Sequence, residues 1–294
     1  MESARCKAFV AAAECGSFTA AAGKLGYTPS GVSQLVTALE KELGFPLLDR
    51  SRRGVTLTGE GERFLPEIRG FLGKEDHIYE LAAEVRGLTV GSVAIASYPS
   101  VATYWLPAVI REFQTDYPEI ELRLMEGIRQ EMLEWIDQGI ADMGFLTYTE
   151  PMDYEWIPLA EDRMVAVLPV DHPLAGCESY PLSRCEEEDF IMPALGHDVD
   201  VEALLTENRI RPHIKFTTLE NPATLAMIQN GLGMSIMNEL CTTGWNRKLV
   251  KLPLEPEKNL TFGIAVPSVR HASPASRRFL EYAVRMLTRP ERRE

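Results

Sequence analysis

Residues 30–43, SGVSQLVTALEKEL, divide into two faces, and that division constrains the chain more than any other feature. Val32, Leu35, Val36, Leu39 and Leu43 fall at offsets 0, 3, 4, 7 and 11, the spacing of one helical stripe that must be buried. Two residues earlier, at the same offsets, stand Ser30, Ser33, Gln34, Thr37 and Lys41. A face that only meets water usually carries Glu and Lys, which form helix better than Ser or Thr. Short hydroxyls and an amide suit close approach to base edges: Gln bonds adenine N6/N7 bidentately, and Ser or Thr serves several bases. The segment is read as a DNA-reading helix, with a plain solvated face as the alternative.

Its surroundings agree. Residues 3–15 have a helical apolar rhythm, Gly16 stops that helix, and Ser17 caps a second over 18–25. Gly26 and Tyr27 make a turn, and Gly44 ends the third helix. Two β-prone pieces, 47–49 and 55–57, flank the basic loop Arg50-Ser51-Arg52-Arg53-Gly54. Three short helices followed by a two-stranded basic hairpin describe an all-α winged helix-turn-helix. Arg50, Arg52 and Arg53 on its wing are placed to clamp phosphate or enter a minor groove. The formal net charge of −13 argues against a DNA binder until its distribution is read. Residues 1–57 hold seven Lys/Arg against five Asp/Glu, a net of +2; the remainder holds 23 against 38, a net of −15. The acid is confined to the part that need not touch phosphate.

Thr58 caps a long helical stretch to about 87, in which Phe64, Ile68, Phe71, Glu75, Ile78, Ala82 and Val85 alternate by four and three. That is a heptad seam for dimerisation with one flaw at Glu75. Pro66, Gly70 and Gly73 predict bending near its start. A helix lying on its own domain is the alternative. From residue 92 onward strand-like pieces (93–96, 120–125, 143–146, 156–159, 164–168, 190–192, 214–218, 234–237, 261–266) alternate with helix-like ones (102–116, 129–138, 201–208, 222–230, 274–287). This predicts α/β layers with largely parallel sheets. The expected division is 1–58 for DNA binding, 59–88 for the linker and dimerisation helix, and 89–294 for an effector-binding domain.

The chain has no run of about 18 apolar residues, and Arg5, Lys7 and Glu14 interrupt the apolar N-terminus, so neither a membrane span nor a signal peptide is expected. Five scattered cysteines without a CxxC spacing argue against zinc and against a secreted disulfide framework. The five histidines show no metal spacing either. No cofactor or metal is called for, and the bacterial cytoplasm, at the nucleoid, is the expected location.

The segment CKAFVAAAECGSFTAAAGKLGYTPSGVSQLVTALEKELGFPLLDRSRRGVTLTGEGERFLP resembles, without gaps, the DNA-binding domain of LysR-type transcriptional regulators. The most specific pieces are Gly16-Ser17-Phe18-Thr19 with Ala21-Ala22, Ser33 with Leu39-Glu40, Glu42-Leu43-Gly44, Pro46-Leu47-Leu48, and Leu57-Thr58 with Gly61. The resemblance implies base or phosphate contacts by Thr28, Pro29, Ser30, Ser33, Gln34 and Thr37, beside the wing arginines. Many members carry Gln before the Pro where this chain has Thr28-Pro29-Ser30, and Arg where Gln34 stands; both departures bear on base preference. The remainder is similar to the family's effector domain, a two-lobed type 2 periplasmic-binding-protein fold. By analogy lobe I is about 90–160 plus 267–294 and lobe II about 161–266. The resemblance also implies a dimer or tetramer on an interrupted inverted repeat of double-stranded DNA, contact with RNA polymerase, and control by a small-molecule effector.

Ligands of two-lobed α/β folds bind between lobes, near strand ends and helix N-termini. Four segments qualify: Ser97-Tyr98-Pro99-Ser100, Glu126-Gly127-Ile128-Arg129 (Gly127 and Ile128 above all), Thr147 and Asn221; the resemblance adds the stretch from Pro193 to His197. Ser100 and Asn221 can equally be plain helix caps. Converging helix N-termini favour a small anion such as a carboxylate, although Glu126 and Glu220 would repel one unless turned away. Two rival functions stand beside this reading. A thiol-based redox sensor would use Cys177 and Cys185, but neighbouring Glu178, Glu186, Glu187 and Glu188 raise rather than lower a thiol pKa. An enzyme on the C-terminal α/β domain would need a GxSxG elbow, a P-loop, a GxGxxG turn or an HExxH helix, and the sequence has none.

Overall fold

The computed structural model describes residues 1–51, 54–245 and 248–288. At the N-terminus α1 (Ser3–Cys15), α2 (Phe18–Leu25) and α3 (Pro29–Leu43) close around Phe9, Val32, Val36 and Leu39. The stops foreseen at Gly16, Gly26 and Gly44 are all left-handed caps. Thr28 caps α3, accepting the Gly31 amide at 3.1 Å, and Pro29 fills the first helical position, where a missing N–H costs nothing. The hairpin β1 (Leu48–Ser51) and β2 (Gly54–Leu57) forms the wing. It is tied to the helices by Val55 N–H donating to the Gly16 carbonyl at 2.9 Å. Gly54, at φ +126°, is required there: a Cβ would meet that same carbonyl at 2.6 Å.

Helix α4 (Gly59–Val85) runs unbroken through Pro66, Gly70 and Gly73. Its first turns belong to the DNA-binding core through Phe64, Leu65 and Ile68. Glu75 is not a flaw in a partner-facing seam, as the heptad reading had it. Its carboxylate accepts from the Ser3 hydroxyl and pairs with Lys7 at 3.0 Å, so it faces α1 of the same chain. The large hydrophobic side chains that α4 and the residues just after it leave uncovered are Phe71, Ile78, Tyr79, Leu81, Val85 and Leu88, with Ile78 66% and Val85 89% exposed. One face of the helix thus packs at home and another is bare. The home face also docks on the effector domain, where buried Glu80 accepts the amides of Ser92 and Ala275.

The effector domain holds one curved sheet in the order β4 (Ile120–Glu126), β3 (Gly91–Ser97), β5 (Met143–Thr147), β12 (Asn259–Val266), β6 (Glu155–Leu168), β11 (Val250–Glu255) and β7 (Tyr180–Pro181). Strand β10 (Ser235–Asn238) also pairs with β6, and β8 (Asp189–Met192) with β9 (His213–Thr217). The sheet is mixed, which corrects the expectation of largely parallel strands. β3 is parallel to β4 and β5, but β12 and β6 run antiparallel to each other and to their neighbours β5, β10 and β11. Residues 156–159 and 164–168 are one strand: β6 pairs with β12 through Arg163, then with β10 from Met164 and with β11 from Val165. The two lobes hang on this crossing pair. Residues Phe262–Ala265 of β12, placed in lobe II by the analogy, pair with β5 of lobe I.

Helices α5 (Pro99–Tyr104), α6 (Leu106–Asp116), α7 (Arg129–Asp137), α8 (Val199–Glu207), α9 (Asn221–Gln229) and α10 (Pro274–Leu287) cover the sheets. The single helix expected over 102–116 is divided at Trp105, where Pro107, lacking an N–H, denies an amide bond to the turn behind it. Pro253 within β11 and the two-residue length of β7 explain why neither strand is visible as a pattern in the sequence.

Candidate DNA-reading face and inter-lobe cleft

The polar stripe of α3 is outward. Thr28, Pro29, Ser30, Gln34, Thr37 and Lys41 are exposed and Ser33 half-buried, while Val32, Val36 and Leu39 are buried beneath. Arg50, read as a wing contact, does more than face solvent. Its guanidinium stacks on Phe18 and donates to Ser33 Oγ at 3.0 Å, Thr37 Oγ1 at 2.8 Å and Glu40 Oε2 at 3.0 Å. Glu40 in turn accepts the amides of Leu47 and Leu48 with its other oxygen. The wing is thereby locked to the reading helix. Because Arg50 donates to both hydroxyl oxygens, Ser33 and Thr37 keep their own O–H groups as donors toward the outside. Arg52 and Arg53 lie outside the described residues. The role of Glu40 went unread in the sequence, since a lone Glu at a helix end resembles any solvated carboxylate.

A cavity of about 360 Å³ opens between the lobes. Tyr98, Pro99, Ser100, Gly127, Ile128, Pro193, His197 and Asn221, eight of the ten expected effector residues, line it. Ser97 and Thr147 stand behind the wall instead. Ser97 is fully buried and donates to the Tyr98 carbonyl, while Thr147 donates across the cleft to the Asp200 carboxylate, 2.9 and 3.0 Å from its two oxygens. Neither Ser100 nor Asn221 caps a helix through its side chain. Asn221 donates to Cys241 Sγ at 3.1 Å, and Ser100 is within reach of the same sulfur.

Several lining groups went unrecognised in the sequence: Glu131, Asp198, Asp200 and Cys241; Arg129 and Leu195, inside segments that were singled out, line it too. Asp198 caps α8, accepting the amides of Asp200 and Val201 at 3.1 Å. Glu131 accepts the Ile128 amide at 3.1 Å at the start of α7. Arg129 donates to the Thr147 carbonyl at 2.7 Å. Burial lifts the carboxyls of Asp198 and Asp200 above the usual carboxylate range, Asp200 to about 6, where the Asp198 charge adds to the effect. Ala194 and Leu195, at φ +50° and +56°, hold left-handed backbone that side chains resist, and they place Leu195 on the cleft rim. Burial likewise pushes the thiols of Cys185 and Cys241 up to about 12, the reverse of what a redox-active thiolate needs. No group of three potential metal ligands occurs among the described residues.

Comparison with known proteins completes the picture. The family described as bacterial regulatory helix-turn-helix protein, lysR family, matches residues 4–62, and the LysR substrate binding domain matches residues 86–288. The chain is 35% identical over 281 residues to an uncharacterized HTH-type transcriptional regulator, YvbU, of Bacillus subtilis, covering 94% of this chain and 96% of that one. Its fold is similar to a full-length OxyR variant from Pseudomonas aeruginosa at TM-score 0.76 and 22% identity, over 98% of this chain and 96% of that one. It is also similar to full-length CbnR in complex with its target DNA, at TM-score 0.65 and 22% identity, over 97% and 100% of the two chains. A winged helix-turn-helix, a long linker helix and a two-lobed effector domain occur here in one chain matched by both family domains, and the chain belongs to the LysR family of transcriptional regulators.

Proposed function

We propose that this regulator binds an interrupted inverted repeat as a dimer or a dimer of dimers, with α3 of each copy in a major groove. One helix reads only a few base pairs, so two copies are needed for useful specificity. The exposed stripe from Ser30 to Lys41 supports the assignment: it is uncharged until Lys41, and Arg50 and Glu40 pin the wing beside it. Gln34 supplies the bidentate contact, Ser33 and Thr37 donate to base or phosphate acceptors, and Thr28, Pro29 and Ser30 meet the backbone at the N-terminus of the helix. Arg52 and Arg53 add salt-dependent affinity.

The bare stripe of α4 pairs two protomers. A small molecule in the cleft favours one arrangement of the lobes and so biases the angle between protomers, DNA bending and contact with RNA polymerase. The chain acts in the bacterial cytoplasm as a binding protein, not as an enzyme. The observation that carries the reading is the outward hydroxyl-and-amide face on a helix whose other side is the domain core. A mobility-shift assay with the DNA upstream of the protein's own gene tests it. Retention that survives excess random competitor and steepens as salt is lowered is expected. Retention abolished by competitor at every salt concentration overturns the proposal.

A further inference from the structure

The positive ends of α7, α8 and α9 converge on the cleft, which by itself would draw an anion. Each of those ends, however, already has a carboxylate from its own sequence. Glu131 accepts at the start of α7, Asp198 accepts two amides at the start of α8, and Glu220 occupies the N-cap position of α9. Asp200 and Glu126 bring the lining to five acidic residues against one Arg and one His. Among the described residues none of the five forms a salt bridge with Lys or Arg. Asp200 is the informative one. It receives a single hydroxyl proton, from Thr147, and spends no oxygen on a helix amide. Met164, Met237 and Leu260 give the wall a buried apolar part and Leu195 and Leu219 an exposed apolar rim, beside the polar groups of Ser100, Asn221 and Asn238.

We propose that the effector of this chain is a cation, an amine or a guanidine on an apolar body, with its charged group on Asp200 and its body against Met164, Met237 and Leu260. This rests on the cleft being the effector site and replaces the carboxylate expected from helix ends alone. An anion would meet Asp198, Asp200 and Glu126 with a single guanidinium, already donating to Thr147, to offset them. A cation instead relieves the burial cost that two unpaired carboxylates bear. Thr147 stands in lobe I and Asp200 in lobe II, so a charge seated there draws on both halves. The groups around Asp200 are Asp198 on α8, Thr147 on β5, Arg129 on α7, Tyr98 before α5 and Lys258 before β12. Arg129 and Lys258 hold the carboxyl down and Asp198 raises it. A bound cation favours the carboxylate, so affinity is expected to fall as pH drops through about 6. Because His197 also lines the mouth, the profile is read as the difference between wild type and Asp200→Asn.

The test is thermal shift on the full chain with matched probes at about 10 mM. Phenethylamine, cyclohexylamine and agmatine are set against phenylpropionate, cyclohexanecarboxylate, phenylethanol and cyclohexanol. Amines or the guanidine are expected to raise the Tm by about 2 °C or more, and carboxylates to leave it unchanged. The shift should vanish in Asp200→Asn, shrink in Glu126→Gln, and decline toward acid pH in wild type alone. Stabilisation by carboxylates only, amine shifts that persist in Asp200→Asn, or no shift from any amine or guanidine overturns the proposal. Ile128→Trp and Val199→Trp, which fill the cavity from opposite walls at half-buried positions, separate the two layers of inference. Carboxylate shifts lost in both would leave the cleft as the site and remove only the cation. Shifts of any charge that survive both would remove the cleft itself.

Discussion

At the scale of single residues, the polar stripe was legible from spacing alone, because burial of Val32, Val36 and Leu39 leaves Ser33, Gln34 and Thr37 no direction but outward. The contacts that organise it were not, since Arg50 reaches α3 from ten to seventeen positions away and Glu40 answers from within it. Gln34→Ala is expected to relax discrimination at one base position by about 1–3 kcal/mol while leaving the salt dependence intact, as measured by binding to a set of single-base operator variants. In the cleft, Asp198 and Asp200 gave no signal in the sequence, where HDVD reads as an ordinary polar loop opening a helix. Their significance depends on burial between lobes. A carboxyl raised in the folded state contributes stability below its unfolded pKa and loses it as pH rises through the folded value, here about 6. The ligand-free Asp200→Asn protein is therefore expected to melt about 2–4 °C above wild type near neutral pH and level with it in acid, by calorimetry across pH.

At the scale of elements, helix ends were read well because Gly16, Ser17, Gly26 and Gly44 act locally. Strands were read less well. β11 carries Pro253, and β6 changes partners at Arg163–Met164 without any change of pattern that would announce it. For α4 the residues of the expected seam divide: Phe64, Ile68 and Glu75 pack within the chain, while Phe71, Ile78 and Val85 are uncovered. Glu75 turns inward to Ser3 and Lys7, and the uncovered face runs through Phe71, Ile78 and Val85 with Leu81 and Leu88 beside them. Ile78→Glu would bury a charge in the proposed protomer contact. It should raise the dimer dissociation constant at least about tenfold, about 1.4 kcal/mol, in sedimentation velocity. An unchanged dimer would move the contact off this face.

At the scale of the molecule, the two functions are joined by few but specific contacts. Arg69 on α4 donates both to Glu14 of the DNA-binding domain and to Gln138 after α7, and Glu80 holds α4 against the start of α10. Across the cleft the lobes meet through Thr147 on Asp200 and through the Tyr104 hydroxyl on the Thr243 carbonyl. None of these pairs is visible in a linear reading, since each joins residues at least 53 positions apart. In the proposed mechanism these contacts are the route from the lobe arrangement to the reading helices, with the linker as its arm. The split of charge, +2 over residues 1–57 and −15 beyond, nevertheless agreed with the division into a DNA-reading module and an acidic effector domain, because phosphate tolerates acid only where it does not approach.

The most direct test of the account is selection of bound sequences from random duplex DNA by the purified full chain. The account predicts recovery of a two-fold-related pair of half-sites whose centres lie about one helical turn or a multiple of it apart, with one base position blurred when Gln34→Ala is used. Recovery of no shared sequence, or of the same sequence with undiminished preference after both Gln34 and Ser33 are replaced by Ala, would contradict it.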